Sequence, residues 1–160
     1  MRKVLDFLSR ASLFISAISL VAMTVIISYQ VVARYFFNDS PAWSERLALV
    51  LMAYLVFFGA AAGVHERFHI RIDAVRNAVP AQVAKVFDIV AHAAVMLAGI
   101  TMVIASWQLT TTLWAFDIPA LGLPRGIALL PLFISGALIS LFAFAQLLDV
   151  FKQDSEQETS

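Results

Sequence analysis

Residues 47–64 read LALVLMAYLVFFGAAAGV, eighteen positions without an Asp, Glu, Lys or Arg. Ser44-Glu45-Arg46 precedes them and His65-Glu66-Arg67 follows. A bilayer core is crossed by about 20 apolar residues in helical form, with about 17–25 tolerated. In lipid each backbone N–H and C=O must bond within its own segment, and helix is the natural state of such a run. Outward from this stretch the pattern recurs in Ala11–Ala33, Val86–Trp107 and Gly126–Leu148, and across all four windows the one charged side chain is Asp88. The other charges of this 160-residue chain, whose Lys+Arg and Asp+Glu balance at 11 each, lie between and outside the windows. Hydrophobic residues make up 61% and charged residues 14%. Those values exclude an ordinary soluble domain, a disordered chain and a nucleic-acid binder. With no cysteine, thiolate metal sites, disulfides and Cys nucleophiles are excluded as well.

The predicted fold class is an all-α membrane protein. It has four transmembrane helices at about 11–33, 43–64, 85–107 and 126–148 in a single membrane domain, residues 1–148. Residues 149–160 form a polar, acidic tail, expected to fray from Asp149 onward. Arg2 and Lys3 precede the first window as in a signal peptide, but its uncharged run outlasts an h-region and leads straight to Arg34 and Tyr35, as a retained helix would. Arg2, Lys3, Arg10, Arg67, Arg71, Arg76, Lys85 and Lys152 fall on one side of the spans, against Arg34, Arg46 and Arg125 on the other. Basic residues stay cytoplasmic, which places both termini in the cytoplasm and loops 34–46 and 108–125 outside.

Between the second and third spans, Ile72, Val75, Val79 and Val83 recur at helical spacing among polar residues. That pattern predicts a short amphipathic segment on the membrane surface, kinked or restarted at Pro80. Lys85 stands three residues before Asp88, the spacing of an interfacial ion pair at a helix end. In the last connection, Pro119, Gly122 and Pro124 predict a non-helical link of defined shape. Pro131 lies about one turn into the fourth span, where neighbouring helices let a kink be tolerated.

One motif points to catalysis. His65-Glu66-Arg67-Phe68-His69 is a literal H-E-x-x-H, the arrangement in which two histidines hold zinc and the glutamate activates water. Catalytic zinc needs a third protein ligand, and the remaining candidates are His92, Asp73, Asp88 and the tail acids. A membrane zinc metalloprotease is therefore one alternative reading, and another four-helix scaffold or anchor is a second. The span centres otherwise carry no charge and no broken helix, unlike a carrier that holds ions or carboxylates at mid-membrane. They do carry small residues suited to close helix approach: Gly59 and Gly63 as a GxxxG, Ser12, Ser16 and Ser19, Ala91, Ala94 and Ala98, and Gly136 with Ser140. Such stripes suit either closure of a four-helix bundle or docking on a larger membrane partner.

Several short motifs occur in order: Arg34-Tyr35-Phe36, Trp43-Ser44-Glu45, Phe57-Phe58-Gly59-Ala60, His69-Ile70-Arg71-Ile72-Asp73 and Leu121-Gly122-Leu123-Pro124-Arg125. On these the chain resembles the small membrane subunit of tripartite ATP-independent periplasmic (TRAP) transporters, the DctQ-like family, over about residues 5–148. It departs from the family pattern at Gln30, Tyr54 and Gly126, where Asn, Trp and a large residue are common.

The resemblance implies a non-catalytic subunit of the bacterial inner membrane without a cofactor of its own. Its implied partners are a large DctM-like membrane subunit, which binds sodium and substrate, a DctP-like periplasmic binding protein, and membrane lipids. The substrate would be an organic acid such as a C4-dicarboxylate or sialic acid. It also implies residue roles. Arg34 and Glu45 would form a cross-helix salt bridge or meet lipid headgroups, beside Tyr35 and Trp43 as interface candidates. Gly59 and Gly63 would form a close crossing. His69 and Asp73 would fix their loop by hydrogen bonding. Leu121, Gly122, Pro124 and Arg125 would shape the outer loop presented to the binding protein or the large subunit.

Overall fold

A computed structural model describes the backbone of residues 2–38, 41–76 and 81–157, and the side chains of 3–38, 41–66, 86–87 and 89–148. The elements are α1 (Arg2–Phe36), α2 (Ala42–Arg76), α3 (Ala81–Leu113), β1 (Asp117–Ile118), β2 (Leu123–Pro124) and α4 (Gly126–Gln157). Each helix contains one stretch long and apolar enough to cross a membrane: Lys3–Phe36, Ala42–Glu66, Ile89–Leu113 and Gly126–Leu148. The helices outrun these stretches. α2 continues to Arg76 and takes His69–Asp73 with it as helix, and α4 continues through Asp149 to Gln157, where fraying is expected from the composition. Thr110–Thr112, expected in the last connection, form the final turns of α3. Their hydroxyl groups explain this in part, because Thr111 and Thr112 donate to carbonyls three or four residues back and so need no water. The amphipathic pattern of 72–83 concerns side chains outside the described residues.

The four helices do not close into a bundle. α1 packs on α2, α2 on α4 and α4 on α3, while α2 and α3 touch only marginally. The row runs α1–α2–α4–α3. Burial follows this order: of an eighteen-residue apolar window in each helix, 17% is buried in α1 and in α3, at the edges, against 28% in α2 and 33% in α4. Three rungs define each outer pair as antiparallel. In the first pair Asp6 meets His65, Ser16 meets Leu55 and Tyr29 meets Trp43. In the second, Gly99 meets Gly136 and Ser140, Trp107 meets Phe133 and Trp114 meets Gly126. The central seam is parallel, since Tyr54 meets Ile127 and His65 meets Phe142. Matching His65 to Phe142 and Tyr54 to Ile127 sets the start of α4 about two to three turns, roughly 10–16 Å along the axis, below the start of α2. The hairpin end of the molecule is therefore stepped.

The α1 seam is a heptad. Ser9, Ser12, Ser16, Ser19, Met23, Ile26, Gln30 and Ala33 alternate at spacings of three and four, and all are buried or half-buried. A repeat of 3.5 residues keeps one stripe on a neighbouring helix through a shallow left-handed crossing. On α3, His92, Met96, Gly99, Val103, Ser106, Thr110 and Leu113 repeat the pattern against α4. The closest approach lies there. A methyl group on Gly99 would land on the Ser140 hydroxyl and stand 2.9 Å from the Gly136 carbonyl oxygen. One on Gly136 would stand 3.1 Å from the Gly99 carbonyl oxygen. The two glycines expected to form a close crossing, Gly59 and Gly63, lie away from this approach. A methyl on Gly59 would lie 3.1 Å from Ser16 Oγ, a contact within the α1–α2 pair, and one on Gly63 would meet nothing within 4 Å among the described residues.

Gly99→Leu forces the α3 and α4 backbones apart and should destabilise the solubilised protein by about 2–3 kcal/mol, read as a lower midpoint of thermal unfolding in detergent. An unchanged midpoint would contradict the crossing.

Candidate functional site

Most of the candidate residues gather at the hairpin end, on two structures at different heights. The first is the α1–α2 turn. α1 ends with Tyr35, Phe36 and Phe37 projecting, at 83%, 81% and 77% exposure. Asn38, one of the residues that tolerate the left-handed region, takes φ 52° and breaks the helix. Trp43 stacks on Tyr29 with ring centroids 6.2 Å apart, fixing the first turn of α2 against α1. Ser44 is fully buried and donates to the Pro41 carbonyl at 2.7 Å. Arg34 and Glu45 are both exposed, and among the described residues no ion pair joins them. Glu45 instead sits alone in the first turn of α2, where a carboxylate complements the helix dipole.

The second structure is the link from α3 to α4. It is a two-stranded antiparallel hairpin with Asp117 opposite Pro124 and Ile118 opposite Leu123. The tip is Pro119-Ala120-Leu121-Gly122, and the amides of Leu121 and Gly122 both donate to the Ile118 carbonyl. Gly122 (φ 63°) has no side chain to object to the left-handed region, but Ala120 (φ 69°) does. Below the strands the Arg125 amide donates to the Phe116 carbonyl at 2.8 Å, and Arg125 Nε donates to the Asp117 carbonyl at 3.2 Å. Arg125 therefore holds the two arms together. The Trp114 ring lies against Gly126, where any side chain would strike it. The departure to glycine at 126 is explained by this indole. Ile118 is buried, while Trp114, Phe116 and Leu123 stay exposed. The result is a small, stiff, apolar knob at the level of the step.

The opposite end carries the H-E-x-x-H segment. His65 Nε2 lies 2.9 Å from Asp6 Oδ1, and its ring packs on Phe142 with centroids 4.9 Å apart. One imidazole thus ties α1, α2 and α4 together. Glu66 is exposed. Among the described residues no group of three or more His, Cys, Asp or Glu could hold a metal ion. The side chains of His69, Asp73, Lys85 and Asp88 lie outside the described residues. His92 is fully buried in the α3 seam.

Tyr54 plays no part in the sequence-derived site, yet its hydroxyl donates to the Ile127 carbonyl at 3.2 Å across the central seam. The available signal was Pro131, four residues beyond Ile127, which has no N–H to offer that carbonyl.

A family model described as "Tripartite ATP-independent periplasmic transporters, DctQ component" matches residues 23–153. A TRAP transporter small permease protein of Haemophilus influenzae is 26% identical over 155 residues, covering 97% of this chain and 94% of that protein. The C4-dicarboxylate TRAP transporter small permease protein DctQ of Vibrio cholerae is 35% identical over 95 residues, 59% of this chain and 41% of its own length. The sialic acid TRAP transporter permease protein SiaT of Haemophilus influenzae is 31% identical over 65 residues, 41% of this chain but 11% of SiaT.

The strained turn yields a directional test. Ala120→Gly removes a side chain from the left-handed region and should stabilise the hairpin by about 1 kcal/mol, read as slower proteolytic cleavage within 114–125 at unchanged helix content.

Proposed function

This chain belongs to the DctQ component family of tripartite ATP-independent periplasmic transporters, and from that premise we propose that it braces a large DctM-like membrane subunit and helps dock a DctP-like binding protein during sodium-coupled uptake of an organic acid. It is a small, multi-pass, non-catalytic permease subunit of the inner membrane. The observation that carries the bracing reading is the open row. Four helices joined edge to edge keep two broad apolar faces uncovered, with Phe14, Ile18 and Val25 exposed on α1 and Val90, Leu97 and Ile104 on α3. Such a row widens a neighbour and encloses little of its own. The span centres supply no carboxylate for a cation, which supports placing sodium and substrate on the large subunit. The names of two relatives, one for C4-dicarboxylate and one for sialic acid, support an organic acid as cargo.

Eight of the 11 Lys and Arg residues lie on the side of the termini, which supports a cytoplasmic location for both and a periplasmic one for the hairpin end. The stepped end then faces the binding protein, with the knob of Leu121, Gly122, Pro124 and Arg125 on one level and Tyr35 and Trp43 on the other. Arg34, exposed beside them, suits lipid headgroups. Gly63, open on its Cβ side, suits approach by a helix of the large subunit.

Reconstitution in liposomes tests the reading. With the large subunit and the binding protein present, a sodium gradient should drive uptake of labelled succinate or sialic acid only when this chain is included. Full uptake without it, or uptake by this chain alone, would overturn the assignment. Gly63→Leu should lower copurification of the large subunit while leaving this chain's own thermal midpoint in place; equal copurification would remove Gly63 from the interface.

A further inference from the structure

We propose that Tyr54 is a positioning residue that aims the β1–β2 hairpin, acting through the carbonyl of Ile127. Pro131 is fully buried inside α4. In a regular helix the amide of residue 131 would donate to the carbonyl of residue 127, and proline has no amide hydrogen to give. A carbonyl left unpaired in an apolar span is costly, because no water reaches it. The Tyr54 hydroxyl fills that gap at 3.2 Å. Its ring stacks on the buried Phe58, centroids 6.0 Å apart, which limits where the hydroxyl can point.

The location of the acceptor gives this bond its consequence. Ile127 is the second residue of α4, and the hairpin is joined stiffly to that turn. The Arg125 amide is bonded to Phe116, the Ala128 amide to Arg125, and the Trp114 ring covers Gly126. Past Pro131 the helix is held by its own ladder and by the Gly99–Gly136 crossing, whereas the turn before it lacks the bond that proline removes. Tyr54 supplies the missing constraint from α2, a member of the other helix pair. It therefore sets the angle of the knob relative to the α1–α2 tip, and so the spacing of the two levels of the stepped end. The proposal rests on the docking reading only for its effect on the binding protein.

The test uses the complex of this chain with its large subunit, otherwise free of reactive cysteine; this chain contributes none. Spin labels at Arg46→Cys on α2 and Leu123→Cys on β2 report the distance across the step. Tyr54→Phe should broaden or shift that distribution, and Pro131→Ala should make the hydroxyl redundant by restoring an amide donor to Ile127. In the Pro131→Ala background, then, Tyr54→Phe should leave the distribution unchanged. A general packing role for Tyr54 would instead give the same disturbance in both backgrounds, and that result, or no disturbance in either, overturns the proposal. Affinity for the binding protein, measured on the same samples, should fall about fivefold in Tyr54→Phe, the equivalent of one hydrogen bond. A disturbed distance with intact affinity would uphold the positioning role and overturn the hairpin as a docking element.

Discussion

Lipid tails are as apolar as leucine, and this governs how the molecule holds together. Helices in a membrane gain little by hiding oily side chains from one another, and they associate through close approach and hydrogen bonding. The α3–α4 pair uses close approach, with Gly99 and Gly136 bringing the two backbones together beside Ser140. The α1–α2 pair uses a serine stripe. Ser12 and Ser19 turn back to carbonyls four residues earlier, while Ser16 reaches across at 2.9 Å to Leu55. Small side chains allow the contact, and their hydroxyls remain satisfied within it.

The central seam between α2 and α4 is made differently. Phe142 is completely buried there against the His65 ring, and Ala61, one turn before His65, is completely buried as well. Polar side chains stand at its two ends, Tyr54 on Ile127 and His65 on both Asp6 and Phe142. Each bridges elements distant in sequence. The seam joins two antiparallel pairs that are each well bound internally, and relative placement of the pairs depends on it.

Much of this was legible in the residues, and the omissions have physical causes. The four spans follow from the distribution of charge, since a charged side chain in hydrocarbon is costly wherever it sits. The shaped link after α3 follows from Pro119, Gly122 and Pro124, and only its start was misplaced, because threonine hydroxyls keep the helix intact through Leu113. The α4 half of the tight crossing was legible in Gly136 with Ser140, and its α3 half was missed by a single position. Ala91, Ala94 and Ala98 resemble a packing stripe, but the buried heptad passes through His92 and Gly99 instead, and Ala94 and Ala98 are exposed. In a soluble helix the polar face would have betrayed the outside. Here both faces are apolar, and the choice between a row and a closed bundle leaves no trace in hydropathy. Gly63 shows the same ambiguity, as its smallness fits an internal crossing or an external one equally well. Tyr54 was visible only as a departure from a family pattern. Its meaning required the pairing with Pro131, seventy-seven residues away and on a different helix.

An open row also changes what specificity can be made of. A partner helix and a lipid tail offer these faces nearly the same chemistry, and apolar area alone cannot choose between them. Discrimination must come from shape and from the few polar groups at the ends. The exposed branched and aromatic side chains of α1 suit either neighbour, but a site without a side chain, such as Gly63, favours a surface that can fit it over a chain that must bend to do so. At the hairpin end the step and the stiff knob provide relief that a flat bundle would lack. On the proposed reading, the large subunit recognises contour along the helices and the binding protein recognises contour at their tips. The hydrogen bonds that fix helix angles, more than the apolar surface they expose, then decide whether either contour is presented correctly.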